Sequence, residues 1–161
     1  MENMKTMQNE KTVDNTETIE VLNRLVTINN DRIEGYETAS EEAQETEFKT
    51  LFSRFISNSQ NAKRDLVSEV KKLGGEEAEG TKTTGKFFRA WMDVKSALTG
   101  NDREVILGSC EQGENHALDA YNDTIKDDAG HLSTQQLNMI KEQRKLLKSD
   151  RDDVVSMKKK I

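Results

Sequence analysis

The sequence predicts an all-α fold, and three observations carry that expectation. None of its 161 residues is proline, so no helix meets a residue that lacks its N–H. Strong helix formers such as Glu, Lys, Gln, Arg, Leu and Ala are plentiful. Apolar residues recur at three- and four-residue steps, the period of a helix with one buried side. The length and the 33% hydrophobic content suit one domain with a sizeable core better than two.

Residues 1–13 are polar, rich in Asn, Thr and Lys, and carry no period, so they are expected to form a disordered lead. The domain proper is expected over 14–161. Asp14 and Glu17 have the spacing of a capping box, and the stripe Ile19, Leu22, Val26, Ile33 and Tyr36 follows, giving a first helix that ends near Thr38. Ser40 is the expected cap of a second helix, whose stripe runs Phe48, Phe52, Phe55, Ser59, Ala62, Leu66, Val70 and Leu73. Gly74-Gly75 ends it as left-handed C-cap residues do. Glu76 to Thr84 reads as a loop. A short amphipathic helix comes next, with Phe87, Trp91, Val94 and Leu98 on one face and Thr99-Gly100 at its close.

Asn101 with Glu104 is the expected cap of the third long helix, whose stripe is Leu107, Cys110, Glu114, Ala117, Tyr121 and Ile125. It stops around Ala129-Gly130. Ser133 and Gln136 form another box, with Leu132 placed to staple onto Leu137, ahead of Ile140, Leu147, Val154 and Met157 in a helix that reaches the Lys158-Lys159-Lys160 tail. Four long helices thus pair as two hairpins, joined by a long connection that holds the short one. That topology is the ferritin-like four-helix bundle with one crossover. The segments Ile33-Glu34-Gly35-Tyr36 and Leu118-Asp119-Ala120-Tyr121 share an apolar-acid-small-Tyr pattern, a faint sign that the hairpins are related by duplication.

Thirty acidic against 24 basic residues leave a formal charge of −6, which repels a phosphate backbone, so nucleic acid is not an expected partner. The lysine tail reads as a solvated helix end that complements the dipole. A single cysteine, Cys110, forms no internal disulfide, and the opening Met1-Glu2-Asn3-Met4-Lys5 starts no signal-like apolar run. The cytoplasm is the expected location. No segment approaches the ~20 apolar residues of a membrane span.

Leu73-Gly74-Gly75, the run from Trp91 to Gly100 (Trp-Met-Asp-Val-Lys-Ser-Ala-Leu-Thr-Gly) and Cys110-Glu111-Gln112-Gly113-Glu114 resemble a bacterial ferritin-like family catalogued only as a domain of unknown function. The likeness covers roughly Thr16 to Ile125. It implies the bundle and brings no established activity with it.

Glu114 is the one carboxylate on an otherwise apolar helix face, which usually marks a metal site in a helical bundle. Di-iron bundles need a Glu from each of two helices and a Glu-x-x-His from each of the others, because hard, redox-active iron takes oxygens and imidazoles together. In rubrerythrin-like patterns a Glu precedes a Tyr by two turns, and Glu114 before Tyr121 fits. The matching position before Tyr36 is Asn29. The second helix offers Ser59 and Ala62 where Glu and His are wanted, and the last offers Gln143 and Leu146. No metal is therefore expected, with Glu114, Asn29 and Gln143 as weak candidates. The expected centre is a buried polar group of Asn29, Ser59, Glu114, Gln143, Tyr36 and Tyr121, in which Glu114 is satisfied by Asn29, Ser59, Gln143 or a tyrosine hydroxyl and its pKa is raised by desolvation.

His116 lies two residues from Glu114 and is expected at the surface; His131, in the last turn, is expected to meet helix-end carbonyls. Cys110 reads as a small packed hydrophobe. Gly108 and Gly113 read as packing positions, and Phe87, Phe88 and Trp91 as a lid over one end of the bundle. No phosphate loop, Cys pair or Ser/His/Asp set is present.

The expected function is that of a non-enzymatic, self-associating, structural or protein-interaction module with a degenerate metal site and no cofactor. The alternative is a weak metal-binding or oxidative-stress protein of the same fold, holding iron or manganese with help from an acid such as Asp31 or Glu111. An amphipathic binder of acidic or lipid ligands ranks last in a net negative chain.

Overall fold

The computed structural model describes residues 2–80 and 85–160, with side chains described over 15–80 and 92–160. Among the described residues it is all helical: α1 (Glu2–Glu42), α2 (Thr46–Lys72), α3 (Gly85–Gly100), α4 (Arg103–Asp127) and α5 (Thr134–Lys159), with a 3-10 turn at Ala129–His131. α1 begins at Glu2, so Asp14 lies within the helix and not at its start; the side chains of residues 1–13 and the lid of Phe87, Phe88 and Trp91 lie outside those described.

α1 packs along α2 and α4 along α5, as the short turns between them require. α1 also meets α4 and α2 meets α5, so the four long helices enclose one core, and α3 crosses over to rest on α4 and α1. Leu22, Leu25, Val26, Phe52, Phe55, Leu66, Leu107, Ile140 and Val154 are fully buried there. Each such side chain contributes about 1.5–3 kcal/mol relative to leaving it in water. The rings of Phe48, Phe52 and Tyr36 stack in series, with centroids 6.0 and 5.3 Å apart, and pin α2 to α1. No helix among the described residues is long and apolar enough to cross a membrane.

Several element ends differ from expectation. Ser40 caps nothing, because α1 continues to Glu42 with Ala39 and Ala43 buried beside it, and the Ser40 hydroxyl is buried without a hydrogen-bond partner. α2 begins instead after Glu45, whose side chain makes no cap. Arg103 secures that end by pairing with both Glu45 and Glu47 at 2.9 Å. The cap of α4 is Asp102 rather than Asn101: Asn101 takes a left-handed conformation, φ 54°, and hands the next residue's carboxylate to the N–H groups of Glu104 and Val105.

Other ends form as the residues dictate. Ser133 and Gln136 make a full capping box at the start of α5. Gly74 ends α2 at φ +81°, and Gly75 follows where a Cβ would stand 2.8 Å from the Ile19 side chain of α1.

The largest difference of register is in α1. Ile33 is only half-buried, and Arg32 takes the inward position beside it at 3% exposure. The buried series runs Leu22, Leu25, Asn29, Arg32, Tyr36, Ala39 and Ala43. A charged residue thus occupies a core position of an otherwise apolar and amide-bearing face.

Candidate functional site

Halfway along the core, the Arg32 guanidinium sits where all four long helices can reach it. Its Nε and Nη2 donate to the two oxygens of Glu114 at 2.8 and 2.6 Å, the bidentate fork that Arg and carboxylate geometry favours. Nη2 also donates to Asp150 Oδ2 of α5 at 2.9 Å. Nη1 donates to Ser59 Oγ at 2.8 Å and to the Phe55 carbonyl at 3.3 Å, both on α2. All five guanidinium N–H groups are therefore engaged. The plane also lies 5.1 and 5.6 Å from the Phe55 and Tyr36 ring centres, close enough for cation–π attraction.

The carboxylates are held from other sides as well. The Tyr36 hydroxyl donates to Glu114 Oε1 at 2.9 Å, and Asn58 Nδ2 donates to both oxygens of Asp150 at 3.1 and 2.9 Å. Glu114 is fully buried and Asp150 nearly so. Desolvation pushes the Glu114 carboxyl above its ordinary pKa, while the Arg32 charge and the hydrogen bonds from Arg32 and Tyr36 pull it back. Burial likewise drives the Tyr36 hydroxyl well above its usual pKa, with the Glu114 charge adding to it. Arg32 stays protonated.

A second polar layer lies one turn away. Asn29 Nδ2 donates to the Leu25 carbonyl and to the Tyr121 hydroxyl, each at 2.9 Å. Tyr121 donates on to Gln143 Oε1 at 2.8 Å, and Gln143 Nε2 reaches the Ala62 carbonyl at 3.2 Å. Burial pushes the Tyr121 hydroxyl up to about 12. The two layers cross: Tyr36 of α1 serves Glu114 of α4, while Tyr121 of α4 is served by Asn29 of α1. In each helix the two crossing positions are seven residues apart.

The six residues expected at a polar centre thus divide. Glu114 and Tyr36 meet directly, and Ser59 joins through Arg32. Asn29, Gln143 and Tyr121 form the second layer; of the partners expected for Glu114 (Asn29, Ser59, Gln143 or a tyrosine hydroxyl), it is the Tyr36 hydroxyl that bonds it, beside the Arg32 guanidinium. Sequence reasoning missed Arg32 and Asp150, although the register carries both: Leu25, Asn29, Arg32, Tyr36 on α1 and Ile140, Gln143, Leu147, Asp150, Val154 on α5 advance by fours and threes. Neither was among the residues expected at the centre, because a charged side chain does not extend an apolar stripe.

This donor set does not suit a metal pair. A guanidinium with its protons aimed at both carboxylates fills the place between them that a cation would take. Among the described residues, no three His, Cys, Asp or Glu side chains are grouped to hold an ion. The His131 side chain pairs through Nδ1 with Glu17 at 2.8 Å, while its backbone N–H bonds the Asp128 carbonyl at the end of α4. His116 is half-buried. Glu111 faces Lys158 at 3.5 Å, and Asp31 is buried with neither oxygen hydrogen-bonded. Cys110 is buried, and desolvation with the Glu114 charge pushes its thiol far above the usual pKa, which leaves it unreactive.

A cleft of about 680 Å³ opens between α2 and α5 and reaches inward to Asn29, Arg32, Tyr121 and Asp150. Its walls are Ala62, Met139, Leu146 and Leu147, with Asp65, Glu142 and Lys145 at the rim. Volumes of this size lie within the range of small-molecule sites.

No curated protein and no solved structure matches the chain. A family model does match, over residues 17–127, and by that match the protein belongs to the family described as Domain of unknown function (DUF2383).

Proposed function

We propose that this protein is a non-enzymatic bundle of the ferritin-like kind, a structural or interaction module in which an internal arginine stands where metal-binding bundles hold their ions. One observation carries the reading: Arg32 lies between Glu114 and Asp150 with every N–H engaged. A fixed guanidinium supplies positive charge to buried carboxylates, as a metal does, yet it offers no open coordination position and no redox chemistry. The crossed pairs Tyr36 with Glu114 and Tyr121 with Asn29 support the ferritin-like assignment, since two helical hairpins related by an approximate twofold axis would produce them. The bundle topology of α1, α2, α4 and α5 with α3 in the crossover supports it too.

The test is the metal content of protein produced in cells supplied with iron and manganese, beside a Glu114→Gln variant whose helicity is checked by circular dichroism. Substoichiometric metal, unchanged by the substitution, is the expected outcome. Stoichiometric iron or manganese that disappears in the variant would replace this reading with that of a metal-binding or oxidative-stress protein.

A further inference from the structure

We infer that the cleft between α2 and α5 is a binding site for a small linear aliphatic diamine, with one ammonium group at Asp150 and the other at the acidic rim. The inference rests on the metal-free reading of the centre and extends it.

The argument begins with charge. The buried cluster holds two carboxylates, Glu114 and Asp150, against one guanidinium, so with all three ionised it is one positive charge short in a medium where that deficit is expensive. The only lining acid inside the cleft is Asp150, and its Oδ1 accepts a single bond, the 3.1 Å contact from Asn58 that is shared with Oδ2. A carboxylate oxygen has room for more.

A second acceptor lines the same cleft, in the layer one turn away. Asn29 is 4% exposed and lines the cleft, and its amide NH2 is used on Leu25 and Tyr121 while its carbonyl oxygen accepts no bond. A primary ammonium brings three donors and one charge, which suits a cleft whose inner lining offers a carboxylate and an amide oxygen. An anion would meet the same acceptors unfavourably.

The walls and rim decide the rest of the ligand. Ala62, Met139, Leu146 and Leu147 are apolar and favour a methylene stem over a hydrated inorganic ion. At the mouth Asp65 and Glu142 are exposed acids set against Lys145, so the rim keeps a net negative charge. Over the whole lining, Asp65, Glu142 and Asp150 outnumber Arg32 and Lys145. An inner and an outer acidic station joined by an apolar wall describe a diamine better than a monoamine.

The full chain, its metal content already measured, is titrated with 1,5-diaminopentane by calorimetry and followed by thermal melting at fixed ionic strength, with pentylamine and pentanoate as comparisons. Saturable binding of the diamine is expected, weaker for pentylamine and absent for pentanoate, with Tm raised by about 5 °C at ~100 times Kd. Ala62→Phe, which narrows the cleft while leaving every charged group in place, should weaken binding at least about tenfold. Should that variant fold poorly, Asp65→Asn with Glu142→Gln, both exposed, should reduce the preference for diamine over monoamine while the melting of the free protein stays close to wild type. Absence of binding, an equal response to pentanoate, or indifference to both variants would overturn the inference. The amine titration decides it whichever way the metal assay falls, so a metal-free protein that ignores the diamine refutes this site alone.

Discussion

Arg32 is the residue on which the centre depends, and removing it exposes what it does. Arg32→Met would leave Glu114 and Asp150 buried without their cation, and such broken pairs destabilise by about 3–5 kcal/mol. Urea denaturation should show that loss, and Arg32→Met combined with Glu114→Gln should recover part of it, because one of the stranded charges is then gone. Full additivity of the two substitutions would contradict the coupling. Asp31 is the opposite case, a buried carboxyl with no hydrogen bond whose pKa is raised to about 6 by desolvation and by the Glu34 charge. Between its ordinary value of 3.8 and about 6 the folded chain holds a proton that the unfolded chain releases. Its stabilising contribution is therefore complete below 3.8 and lost as pH rises through about 6. Asp31→Asn should be more stable than wild type at neutral pH, with the gap closing in acid. A gap that widened in acid would refute the assignment.

At the scale of the helices, ends are set by local chemistry where a cap is present and by packing where it is not. Ser133→Ala removes one half of the α5 capping box and should lower stability by about 1 kcal/mol, whereas Ser40→Ala should be neutral or slightly stabilising because the Ser40 hydroxyl has no partner to lose. Paired thermal melts of the two variants check this. The residues in and around α1 explain why its C-terminal end was misread: Ser40 has the side chain of a cap, but Ala39 and Ala43 pack against the core and keep the backbone helical past it. Tertiary burial outweighs a capping preference of about 1 kcal/mol. Gly75 shows the reverse, a position where sequence and packing agree, since the glycine that ends α2 also lets the turn lie against Ile19.

Across the whole molecule, the two hairpins place related residues in unlike surroundings. Tyr36 reaches Glu114 in a fully buried contact outside the cleft lining, while Tyr121 bridges Asn29 and Gln143 beside the cleft, where water can replace it. Tyr36→Phe should therefore destabilise by about 1–3 kcal/mol through the unmet Glu114 acceptor, and Tyr121→Phe by about 1 kcal/mol or less. Equal losses in chemical denaturation would mean that the layers are equally sealed. Arg54 with Asp153, an exposed pair that also joins α2 to α5, should contribute under ~1 kcal/mol and fade with salt, whereas the effect of Arg32→Met should persist at high ionic strength.

Periodicity, punctuation and composition were enough to specify five helices, their order, the apolar stripes of α2 and α4, the glycine stop of α2 and the capping box of α5, because each depends on neighbours within a few residues. The identity of the central cation was not available at that range. Arg32 and Asp150 look like surface charges until α1, α4 and α5 are brought together, and a buried charge is tolerable only where partners from other helices meet it. Long-range pairing, not local preference, turns an arginine that would otherwise be solvated into the middle of this core.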